Sequence, residues 1–158
     1  RHTRFRNVTG VQTCALPICF GLNVEQQVRD GVGVFARASW TPGKYETYDF
    51  TEIDRSLSAG VVFSGKLWSR PDDAIGVGAI VNGISRAHRD YLAAGGLGII
   101  LGDGGLRYAA ERVGEVYYRL QLNKHFAITA DYQLAIAPGY NRARGPVSIF
   151  GLRAMGQF

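Results

Sequence analysis

The side chains able to do chemistry are few. His88 and His125 lie far apart and have no carboxylate or cysteine at ligand spacing, so the pattern spells no metal site. Cys14 and Cys19 fit neither a C-x-x-C redox motif nor a zinc half-site. Gly95-Gly96-Leu97-Gly98 and Gly102-Asp103-Gly104-Gly105 hint at a phosphate loop, but no Lys-Ser or Lys-Thr follows and the G-x-G-x-x-G spacing is not met. Close packing of loop backbone is the better account. No serine sits in a G-x-S-x-G elbow, and no Ser, His and acid set has a spacing that compels a triad. The sequence points away from an enzyme and calls for no cofactor.

What remains is charge placed on alternate residues. Glu25, Arg37, Glu115, Arg119, Asp131 and Arg153 all fall on the polar parity of segments that alternate apolar and polar side chains. They are candidates either for the charge pattern of a channel wall or for structural pairs across it. A second group, Arg86, Arg89 and Asp90, lies in a long connection whose Ser85 to Ala94 stretch is expected to be helical. Its charges either narrow a pore entrance and offer hydrogen bonds to hydroxyls, or tie down their own loop with salt bridges.

Positioning these residues falls to seven expected strands: Phe20–Val28, Val32–Trp40, Leu57–Leu67, Ala74–Asn82, Gly114–Leu122, Phe126–Leu134 and Val147–Phe158. In the first, Phe20, Leu22, Val24 and Val28 oppose Gly21, Asn23, Glu25 and Gln27; in the sixth, Phe126, Ile128, Ala130, Tyr132 and Leu134 oppose Ala127, Thr129, Asp131 and Gln133. Most run to about nine residues, the length a tilted strand needs to cross hydrocarbon, whereas strands of soluble proteins are usually shorter. Connections alternate. Arg29 to Gly31, Ser69 to Asp73 and Asn123 to His125 read as tight turns, and between them fall long stretches over Thr41 to Arg55, Gly83 to Val113 and Ala135 to Pro146. Antiparallel strands put the short turns on one rim and the long loops on the other, as in outer-membrane barrels. A soluble β-domain explains the alternation equally well, but not the loop asymmetry.

Magnitude decides which face meets lipid. A charge at the bilayer midplane costs roughly 2 to 4 kcal/mol on a barrel's outer surface, so turning the polar parity outward would cost on the order of 10 kcal/mol. The charged face must therefore look into water. The fold class is all-β, an antiparallel up-and-down transmembrane β-barrel, incomplete at about seven strands. Trp40, Tyr45, Tyr48, Phe50, Trp68 and Phe158 fall near strand ends, where aromatic girdles belong. The terminal Phe158 resembles the signal by which barrel-assembly machinery recognises its clients.

The net charge of +5 would suggest nucleic acid, but Arg1, Arg4 and Arg6 carry much of it, and residues 1 to 19 contain no acid. Without that segment 15 basic side chains face 13 acidic ones, a net of +2, which excludes nucleic-acid binding as the main role. Val8 to Ile18 resembles one reading frame of a common sequencing adapter. Residues 1–19 are therefore expected to be foreign to the protein, and 20–158 to be the C-terminal part of a barrel.

Several stretches carry a family resemblance: Glu25-Gln26-Gln27, Phe50 to Leu57, Trp68 to Asp73, Val81 to Ser85, Ala87 to Gly98, Asp131-Tyr132-Gln133, Tyr140-Asn141-Arg142 and Arg144 to Arg153. The His88 to Gly98 and Gly145 to Arg153 runs are the specific ones. From Phe20 to Phe158 the chain resembles the carbohydrate-selective porins of the OprB type. That resemblance implies a sixteen-stranded outer-membrane barrel admitting mono- or oligosaccharides by diffusion, in contact with outer-membrane lipid and compatible with a homo-oligomer. It also gives Phe35 and Tyr117, on the lumen parity, the option of stacking on sugar rings. The alternative from another class is a structural or adhesion barrel, or a soluble β-domain with a binding role.

Overall fold

The computed structural model describes the backbone of residues 8–15 and 18–19, and backbone with side chains for 20–44, 52–98, 101 and 106–157. Eight strands follow one another in a single sheet: β1 (Val8–Ala15), β2 (Ile18–Arg29), β3 (Val32–Trp40), β4 (Arg55–Ser64), β5 (Ala74–Gly83), β6 (Glu111–Gln121), β7 (Phe126–Ile136) and β8 (Val147–Gly156). Their order across the sheet is their order in the chain, every pair is antiparallel, and β1 and β8 are free edges. Helix α1 (Arg86–Ala93) stands in the β5–β6 connection.

Seven of these strands are the expected ones, and β1 is an addition, pairing over Val8–Ala15 with the Ile18 to Glu25 part of β2. Several boundaries move, with β2 beginning at Ile18 and β6 at Glu111, and one move alters a connection. The strand expected over Leu57 to Leu67 stops at Ser64, and Gly65–Trp68 forms a 3-10 turn. The cause is a contact with the far end of the connection: Gly65 N–H bonds to Asp73 O, and a Cβ on Gly65 would overlap the Arg70 carbonyl. The β4–β5 connection is consequently longer than the tight turn the sequence suggested. From β2 to β8 the three turn-type connections still share one rim, and the three longer ones share the other.

Period-2 parity survives from β2 to β8 because the register is continuous but for one shift, between Gln27 and Arg29 at the end of β2. One row runs Glu25, Phe35, Gly60, Gly78, Glu115, Gln133 and Ile149; the next runs Gln27, Gly33, Val62, Gly76, Tyr117, Asp131 and Gly151. Between them lies the opposite face, as in Val34, Val61, Val77, Val116, Tyr132 and Phe150. The first face is half-buried along most of its length, since side chains on it shield one another. The second is open: Leu57, Phe150 and Leu152 are 61%, 80% and 79% exposed. A ten-residue strand is roughly 34 Å long, and tilted by about 40° it rises about 26 Å, close to the height of a barrel's apolar band.

Among the described residues no second layer covers the apolar face. The buried hydrophobic cluster lies instead beyond the strands at the loop rim, where Ile84, Leu92, Leu101 and Tyr140 pack with Leu106 and Tyr108. It fastens α1 and its flanking segments to the β7–β8 connection.

Candidate functional site

The polar face holds all six candidate wall residues. Arg37 donates from Nη2 to Glu25 Oε1 at 2.7 Å and from Nε to Asn23 Oδ1 at 3.0 Å. Both partners stay substantially exposed, so the pair's geometry matters more than its energy. Arg37 also lies 5.3 Å from the centroid of the Phe35 ring. Phe35 and Tyr117 rest on glycines of neighbouring strands: a Cβ on Gly60 would overlap the Phe35 ring, and one on Gly76 the Tyr117 ring. Only the missing side chains let these rings lie against the wall, an arrangement that also shields glycine backbone. They border a cavity of about 270 Å³ shared with Ser58, Ile80 and Glu115. Asp131 lies over Gly151 in the same way. Arg119 donates to Gln121 Oε1 at 2.7 Å, and its row continues through Thr129 to an exposed Arg153.

The loop group sits apart, at the longer-connection rim. Arg86, Arg89 and Asp90 line a cavity of about 450 Å³ with Ala93, Leu106 and Tyr108. Arg89 lies 4.5 Å above the centroid of Tyr108, and Arg86 approaches Asp90 only at 3.8 Å, both ends exposed. That ion pair is too open to hold the loop. The tether comes from elsewhere. Ser85 caps α1 by accepting from His88 N–H at 3.1 Å, and its hydroxyl donates to Gly43 O at 3.2 Å. Asp54, 1% exposed, accepts from Ser85 N–H at 2.6 Å and meets His88 Nδ1 at 3.1 Å. Gly43, at a φ of +60°, leaves no room for a side chain beside Asp54 and Ser85.

Serine, histidine and aspartate thus do meet, but not as a nucleophile with its base. The Ser85 hydroxyl proton points to Gly43 O, and the residue is buried. A parallel tie uses Glu52, which accepts from Leu101 N–H at 3.1 Å while its backbone carbonyl accepts from the Tyr140 hydroxyl at 3.1 Å. Burial holds the Tyr140 hydroxyl well above the usual tyrosine pKa.

Asp54 and His88 shift each other's protonation. Burial alone would raise the Asp54 pKa, but the bonds from His88 and Ser85 outweigh it and hold the carboxyl below its usual value. The Asp54 hydrogen bond raises His88. A group whose folded pKa is raised stabilises fully below its unfolded value near 6.5 and loses that contribution as pH climbs through the raised value. Proteolysis within 84–98 is therefore expected to be slower at pH 6 than at pH 9. His88→Gln should flatten that difference; an unchanged pH profile in the variant would show that His88 does not govern the tether.

At the opposite rim Asp73, 3% exposed, gathers Arg70 Nε and the Tyr118 hydroxyl, each at 2.5 Å, and Gln121 N–H at 2.9 Å. It joins the β4–β5 turn to the end of β6. Arg70 and the other donors lower its pKa to about 2. Trp68 packs near Tyr118, their centroids 6.3 Å apart, giving an aromatic edge at this rim. At the other rim Trp40 stacks on Phe20.

The sequence located the wall and loop charges but not Asp54, Ser85, Glu52, Tyr140, Asp73 or Tyr118 as organising residues. Of the expected features, Phe158, Tyr45, Tyr48, Phe50 and the Gly102 to Gly105 run lie outside the described residues.

Comparison with known proteins agrees with this architecture. Residues 20–158 match the family described as carbohydrate-selective porin, OprB family. The fold is similar to that of OprB from Pseudomonas putida solved at high pH, with a TM-score of 0.66 and 16% sequence identity over 89% of this chain. The chain spans 35% of the length of that OprB. No curated protein matches it. One unbroken family match from the start of the alternating pattern to the last residue leaves a plain conclusion: the chain belongs to the carbohydrate-selective porin family.

Proposed function

We propose that residues 20–158 are the C-terminal part of a sixteen-stranded outer-membrane porin through which mono- or oligosaccharides diffuse, and that residues 1–19 are foreign sequence. The observation that carries this reading is the division of one single-layered sheet into a charged face and an uncovered apolar face. An exposed apolar surface of this extent needs a partner or a membrane. Lipid on that side and water on the other satisfy both faces at once. Free strand edges are intolerable in lipid, so the remaining strands of the barrel must pair with them.

On this reading Glu25, Arg37, Glu115, Arg119, Asp131 and Arg153 line the lumen. Arg86, Arg89 and Asp90 border its entrance and offer donors and acceptors to sugar hydroxyls. Phe35 and Tyr117 supply flat apolar patches for the faces of pyranose rings. Transport is passive and involves no catalysis. Phe158 is the contact for barrel-assembly machinery, and the mature barrel is free to self-associate. In planar bilayers the full-length protein should conduct ions, and added sugar should reduce the current in a concentration-dependent way. Current unaffected by high sugar would contradict carbohydrate passage.

A further inference from the structure

The apolar face carries charge at its rims alone. Among the described residues of β2 to β8, the outward set includes Leu22, Val34, Val61, Val77, Val116 and Leu152, with Gln26 a polar, uncharged exception. Its charged members are Arg55, the first residue of β4, Arg112, the second of β6, and, at the opposite rim, Arg29, the last of β2, which a register shift turns to this face. Arg55 pairs with Gly83 and Arg112 with Val81, so the two flank β5 at its loop end. Two strand spacings and two residues along the strand separate their backbones, roughly 12 Å.

Both arginines are exposed, and neither side chain has a hydrogen bond or ion pair among the described residues. Each follows an acid that is turned away from it. Asp54 is buried against Ser85 and His88, and Glu111 accepts from Asn82 Nδ2 and from Gly139 N–H. Among the described residues the outward positive charge is thus left without a counter-ion. Beside Arg55, across the β3–β4 pair, stands Trp40, stacked on Phe20 at 6.2 Å between centroids. Aromatic rings of this kind sit at the level of lipid headgroups, which places the guanidinium groups where the acyl chains end.

We propose that Arg55 and Arg112 together hold the net-anionic, phosphate-bearing headgroup of an outer-leaflet lipid. A guanidinium binds phosphate through a planar fork of donors, and its aliphatic stem lies along apolar surface while the charge reaches the interface. An arginine at this height costs little to insert, and an anionic headgroup turns that small cost into attraction.

This inference rests on the membrane reading above, and the test separates the two. The full-length protein and its Arg55→Gln/Arg112→Gln variant are titrated in detergent with diphosphorylated lipid A, and bound lipid is read by native mass spectrometry. Heat-modifiable migration is measured on both. The native protein is expected to retain lipid A, the double variant to bind it about thirtyfold more weakly, roughly fivefold per arginine, and added salt to narrow the gap. Inorganic phosphate and phosphatidylcholine should not reproduce the binding. Equal lipid A binding by two proteins that migrate alike would overturn the site, as would equal affinity for phosphatidylcholine or retention of inorganic phosphate alone. Loss of heat-modifiable migration in the native protein would instead overturn the membrane reading, and this site with it.

Discussion

Val116→Arg in the complete barrel is expected to lower folding stability by about 2 to 4 kcal/mol, whereas Gln133→Arg should change it by no more than about 0.5 kcal/mol. The two positions lie on adjacent strands at mid-height: Val116 pairs with Tyr132, and Gln133 with Glu115. They differ in parity. At 116 the guanidinium enters hydrocarbon. At 133 it meets water and the Glu115 carboxylate opposite, where cross-strand pairs of opposite charge are mildly favourable. Urea titration in lipid vesicles, followed by tryptophan fluorescence and heat-modifiable migration, reads both. Equal losses would mean that the two faces share one environment.

Asp73→Ala should destabilise the barrel by about 2 to 4 kcal/mol, because one buried carboxylate accepts from Arg70, the Tyr118 hydroxyl and Gln121 N–H. Its removal frees the β4–β5 turn from β6. The pH dependence has a definite sign. A carboxyl whose folded pKa is depressed to about 2 contributes fully above its ordinary value of 3.8 and loses that contribution as pH falls toward 2. The native protein should therefore lose stability between roughly pH 4 and pH 2, and Asp73→Asn should remove that part of the acid dependence. An Asp73→Asn variant with the native acid profile would show that other carboxylates are responsible.

Why parity was legible and the anchoring residues were not follows from the range of the interactions. The inward or outward direction of a strand residue is set by its immediate neighbours, so Glu25, Arg37, Glu115 and Asp131 sorted themselves from the local pattern. The helix expected over Ser85 to Ala94 is found as α1, with Ser85 as its cap. Asp54 and His88 stand 34 residues apart, Asp73 and Tyr118 45, and Glu52 and Tyr140 88. Nothing in a local window joins such pairs. The glycines under Phe35 and Tyr117 were equally silent, since Gly60 and Gly76 looked only like weak strand residues until the register set them beneath the rings. The early end of β4 belongs to the same class, as it depends on Asp73 reaching back to Gly65.

The central claim is that water lies on one face of this wall and lipid on the other. Single cysteines at Val62, Glu115 and Gln133, and at Val77, Val116 and Leu134, in a background lacking Cys14 and Cys19, test it directly in liposomes. A charged, water-soluble thiol reagent should label the first three readily and the second three hardly at all. Similar labelling of both sets would contradict the account.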